Sequence, residues 1–176
     1  MNDASDFSEQ SAQHEAAHAV IAYRHGIDVL FGITLDPQMI RCWYNSNWLD
    51  LGAFYMGRVP HRGMIVGMKK EDPDRARVMA EGVVCSALAA GCLLKHLKCE
   101  GHLGTDDDEA QALNAARAVL PESEAKRWVE DLREQTRKEV AEPRNLAVLG
   151  AIVRALREAE RCTLGPEALR GILRNA

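Results

Sequence analysis

The stretch Ser8–Tyr23, SEQSAQHEAAHAVIAY, places small and apolar residues at Ala12, Ala16, Ala19, Val20 and Tyr23, which is a helical spacing. Asp6-Phe7-Ser8-Glu9 has the form of a capping box, so a helix is predicted to begin near Phe7 and to stop at Gly26. Inside it lies His14-Glu15-Ala16-Ala17-His18, HEAAH. Residues four apart stand on one helix face, one turn from each other. Both imidazoles therefore reach a single Zn²⁺, with Glu15 beside them. Zinc lowers the pKa of a water it holds from about 15.7 towards about 7. A neighbouring carboxylate can take a proton from that water and pass it to a leaving amine. The spacing points to a metallopeptidase with His14 and His18 as metal ligands and Glu15 as general base.

Working outward, Ile27–Leu35 is rich in β-branched and apolar residues and ends at Asp36-Pro37, a strand and turn. Leu51–Met56 is a second strand; if it is an edge, it can hold an extended peptide by strand addition. Between them, the segment 41–49 (RCWYNSNWL) concentrates Trp43, Tyr44 and Trp48. It reads either as a hairpin covering the core or as a substrate-contacting rim. Asp72-Pro73 opens a long, largely buried helix through Ala76, Val83, Leu88 and Leu93 to Leu97, broken by Gly101 to Gly104. Thr105 caps the next helix, which runs to about Val119. Amphipathic helices follow over Glu122–Ala141 and Pro143–Glu160, then a short one after Gly165-Pro166. The fold class expected is α+β and mostly helical. The HExxH helix lies beside a small β-sheet of two or three strands, with a C-terminal helical bundle. Residues 1–120 form the core and 121–176 a helical lobe of the same domain.

A chain of 176 residues can bury about 70% of its unfolded surface. A net charge of −4 and a pI near 5.9 offer no electrostatic case for nucleic acid or anionic membrane. The longest apolar run, Gly82–Leu94, falls short of the roughly 20 residues of a membrane span. Residues 1–15 are polar and acidic, unlike a signal peptide, so a cytoplasmic protein is expected. Five cysteines, an odd number, argue against a disulfide framework. Cys85, Cys92 and Cys99 share one helix side but are spaced about 10 Å apart along it. Cys92, His96 and Cys99 are a candidate second metal site, weighed against plain burial of small apolar side chains.

A hydrolytic zinc site wants a third protein ligand. His25 lies on the His18 face but about 10 Å farther along the helix, too far to share the ion. It is expected to meet the last helix carbonyls instead. The metzincin pattern fails, because Ile21 and Arg24 stand where its Gly and His belong. Glu71 and Glu81 are gluzincin-type candidates. Asp106-Asp107-Asp108, in GTDDDEAQA, is the better one: three adjacent carboxylates repel, and a divalent cation relieves them. The same residues also suit an acidic first turn, with Thr105 and Asp108 completing a capping box.

These motifs resemble the FtsH-type zinc metallopeptidase domain. HEAAHAV is similar to its HEAGHAV segment, and GTDDDEAQA to its GAxNDLxxA pattern, with Gly104, Asp108 and Ala112 on the matching positions. The segment 147–173, with Glu160 and Thr163-Leu164-Gly165, resembles the family's helical tail. Ile33-Thr34-Leu35 and Leu51-Gly52-Ala53-Phe54 have counterparts among its strands. The resemblance implies Asp108 as third ligand, with Asp107 the fallback, a Zn²⁺ cofactor and hydrolysis of peptides or unfolded protein. It also makes a homo-oligomer conceivable. The chain departs from the family in having no GxxxxGK[ST] phosphate loop and no membrane anchor, and in carrying Ser86–Gly91 where the family has GGRAAE. Unfolding would then depend on a separate ATPase or adaptor. The rival reading is a non-catalytic metal-binding or protein-interaction module on the same scaffold. Tyr44, Tyr55, His61 and His102 are candidates to assist the oxyanion.

Overall fold

Ser8 opens helix α1 (Glu9–Arg24), its Oγ accepting the Ser11 N–H at 3.2 Å. The cap is thus Ser8 rather than the Asp6 box expected; Asp6 lies outside the residues that the computed structural model describes, which are 8–27, 32–36, 54–56, 62–99 and 105–175. At the other end Gly26 takes φ +73, the Gly26 N–H bonds Tyr23 O, and the Ile27 N–H bonds Ala22 O. This paired closure needs a left-handed residue, which glycine adopts without strain.

Among the described residues three short strands follow the order β2-β1-β3, all antiparallel: β1 (Gly32–Thr34), β2 (Phe54–Met56) and β3 (Thr163–Leu164). The first two fall inside the expected strands. The third was not expected, because two residues carry no period to read. It is recruited by pairing Ile33 with Leu164 and Thr34 with Thr163, and the two threonine hydroxyls bond at 2.6 Å. Among the described residues β2 is an edge.

The helices are α2 (Arg62–Glu71), α3 (Pro73–His96), α4 (Thr105–Val119), α5 (Glu122–Val140), α6 (Pro143–Glu158) and α7 (Pro166–Arg174). Helix α2 was not expected; Gly63 and Gly67 weaken its propensity, and contact with α3 and α4 supports it. Helix α3 starts as its sequence dictates, with Asp72 Oδ1 accepting the Arg75 N–H at 2.9 Å and Pro73 in the first turn. It ends at His96, ahead of the expected glycine break.

Helix α3 is the axis of the fold and packs against α1, α2, α4 and α5. Both helices carry small buried residues, Ala12, Ala16 and Ala19 on α1 and Ala80, Gly82 and Ala87 on α3. The two backbones therefore approach closely, and a Cβ at Gly82 would come within 3.0 Å of His25 Cβ. One apolar cluster runs from Ala12 to Leu173, so α5–α7 share the core of α1 and α3. By length and composition α3 is apolar enough to cross a membrane, at mean hydropathy 1.6 over its best window, although 72% of that window is buried inside the fold. The 82–94 run understated it because Val78, Met79 and Ala80 carry apolar composition past Glu81 towards Pro73.

Gly32 has φ +102, and a Cβ there would stand 2.0 Å from the Leu164 carbonyl oxygen. Gly32→Ala is expected to lose at least the roughly 1–3 kcal/mol of a strained backbone, since the β1–β3 pairing must also part. A urea midpoint equal to wild type would contradict this.

Candidate metal centre

Helix α1 carries His14, Glu15 and His18 on consecutive turns, and all three are buried, at 8%, 7% and 8% exposure. Together with Ser86 they make up half of the buried polar residues among those described. Burying polar groups is unfavourable without partners, so their concentration at one point calls for a chemical reason.

Asp108, in the first turn of α4, comes to meet them. His14 Nε2 and His18 Nε2 lie 3.1 Å apart, and Asp108 Oδ2 is 3.4 Å from the first and 3.5 Å from the second. Two atoms bound tetrahedrally to zinc at about 2.0–2.1 Å are separated by roughly 3.3–3.4 Å. The triangle has the size of one face of such a polyhedron. Asp108 Oδ2 is buried and has no hydrogen-bond partner. A cation among the three atoms is what this orphaned oxygen lacks, so the residues fit the metal. Glu15 Oε1 reaches to 3.7 Å from His14 Nε2 and flanks the triangle.

The rings respond unequally to this setting. Burial, and then the charge of His18, hold His14 down at about 4 against the pull of Asp108. For His18 burial also disfavours the charged form, but Asp108, Glu15 and the Ser86 carbonyl outweigh it and raise the ring to about 9. The two rings are thus pushed in opposite directions, and His18 is the one on which Asp108 acts most strongly. His18 Nδ1 lies 2.7 Å from Ser86 O, while His14 Nδ1 is buried without a partner.

The other sequence candidates separate. Asp106 and Asp107 are exposed, so Asp108 and not the Asp107 fallback turns inward. His25 caps α1 but its Nε2 meets Glu139 Oε2 at 3.0 Å rather than the helix carbonyls expected. Hydrogen bonds to Cys85 and Glu139 raise its pKa to about 10. Among the described residues, the His/Cys/Asp/Glu group close enough to hold an ion is His14, His18 and Asp108; Glu71 and Glu81 do not join it. Nor do Cys92, His96 and Cys99 form a second site: Cys92 Sγ lies 3.7 Å from Arg133 O, and His96 is exposed. Tyr44, His61, His102 and the aromatic segment 41–49 lie outside the described residues, and Tyr55 is placed only as backbone in β2.

Arg133 on α5 forks onto Glu109, next to Asp108, and onto Glu130. That link ties the first turn of α4 to the bundle. A cleft of about 440 Å³ beside it, lined by Cys92, Lys95, Glu109 and Arg133, includes none of the triangle residues. Sequence reading missed Ser86, whose contribution begins with a backbone carbonyl that no side-chain pattern announces.

No protein-family model, curated protein or solved structure matches the chain. The likeness to FtsH-type domains therefore rests on the motif residues alone.

Proposed function

We propose that this chain is a zinc-dependent metallopeptidase with His14, His18 and Asp108 as ligands, of the kind its motifs resemble. The observation that carries the reading is the convergence of two α1 imidazoles and a carboxylate ninety residues later, with Glu15 alongside. Two imidazoles and one carboxylate without thiolate form a donor set of catalytic zinc, which keeps a position open. Bound zinc supplies Lewis acidity, polarising a carbonyl and acidifying water.

The chain's own residues do the rest. His14 and His18 present their Nε2 atoms and Asp108 its Oδ2. The Glu15 carboxylate, held at the edge of the triangle, takes a proton from water and returns it to the leaving amine. The β2 edge offers backbone groups to an extended peptide, which favours peptides and unfolded segments as substrates. These 176 residues contain no phosphate loop, so any unfolding of folded substrates would come from an ATPase or adaptor outside them.

Zinc-loaded protein is expected to cleave a fluorogenic unstructured peptide, to stop on chelation, and to recover when zinc is restored. Cleavage that persists unchanged in chelator would overturn the reading. Stoichiometric zinc without any cleavage would leave the non-catalytic module.

A further inference from the structure

Ser86 sits on α3, 3% exposed, against the His18 turn of α1. It makes two contacts with the same residue, 68 positions away in the chain. Its carbonyl oxygen lies 2.7 Å from His18 Nδ1, and its Oγ donates to the His18 carbonyl at 3.2 Å. Both helices are rich in small or apolar buried residues near these positions in sequence, Ala16 and Ala19 on α1 and Val83 and Ala87 on α3. A hydroxyl here must find an acceptor, because a buried polar group left unpaired is unfavourable by about 1–3 kcal/mol.

The two bonds act on different freedoms. A carbonyl accepts only, so His18 Nδ1 must carry a proton, and in a ring that holds a metal the lone pair is left to Nε2, on the side of Asp108. The hydroxyl bond links backbone to side chain across the helix pair and resists sliding of α1 along α3. His14 has no comparable partner on its Nδ1. Orientation of the ligand pair therefore depends on one side of the site. We infer that Ser86 is the positioning residue of this centre, its carbonyl setting the His18 tautomer and its hydroxyl holding the carbonyl in reach. The inference rests on the metal-site reading above.

Zinc affinity, measured by competition with a chromophoric chelator, is expected to fall about 10–100-fold in Ser86→Ala. Ser86→Thr, which keeps the hydroxyl, recovers most of it. Val129→Ala, a buried change on α5, lowers stability but leaves affinity as in wild type. In zinc-loaded wild type, nitrogen-15 spectra are expected to show His18 with a protonated, slowly exchanging Nδ1. Unchanged affinity in Ser86→Ala, or an unprotonated Nδ1 in wild type, overturns the assignment. Failure of wild type to bind zinc overturns it together with the metal site, whereas wild-type binding that Ser86→Ala does not weaken overturns it alone. Should Ser86→Ala not fold, the wild-type spectrum decides.

Discussion

Asp108→Ala is expected to abolish stoichiometric zinc binding while the chain still folds. The two histidines that remain sit four residues apart on one helix and supply neither the third ligand nor its charge. The loss should exceed the about 10–100-fold of a partner that only orients a ligand. Folding should survive, since Asp108 is at the start of α4 and its inward oxygen bonds no donor. The helix loses one first-turn acid, a matter of about 0.3–1 kcal/mol. The metal-free protein carries a second readout. Burial lowers the proton affinity of His18, and Asp108 is the largest influence raising it to about 9. Without Asp108 the ring should titrate lower, followed by its NMR shift against pH. One zinc per chain at wild-type affinity would show that Asp108 is not a ligand.

Glu15→Gln should lower peptide hydrolysis by about 10²–10⁴-fold, the usual contribution of a positioned acid–base group, with zinc still bound. The amide keeps the size of the carboxylate, so packing at this buried position is retained. What it loses is the capacity to take a proton. Metal content and turnover should therefore separate: Asp108→Ala removes both, and Glu15→Gln removes turnover alone. An undiminished rate in Glu15→Gln would remove Glu15 from the mechanism and favour the non-catalytic reading.

Much of this architecture was legible because local rules are strong where they act. Asp72-Pro73 marked the start of α3 to the residue, and Gly26 the close of α1. Helices α5 and α6 came within two residues of expectation, their stripes being wide and their breaks at Pro121 and Pro143 sharp. Helix α2 and strand β3 were not legible. Arg62–Glu71 has glycines that speak against a helix, and Thr163–Leu164 is too short for any period; the first is held by packing on α3 and α4, the second by pairing with β1.

The candidate site divides in the same way. HEAAH by itself determined that His14 and His18 share a helix face with Glu15 beside them, because 3.6 residues per turn leaves no other arrangement. Whether Asp108 was a ligand or a helix-capping acid could not be read locally, since both roles ask for a carboxylate in a first turn. Only tertiary structure placed it: the contact between α1 and α3, and the packing of α4 on α3, carry Oδ2 to within 3.5 Å of both rings, where the ligand role is open to it. It also brought the Ser86 carbonyl to His18, a bond that depends on the distance between two backbones and not on any residue's own chemistry.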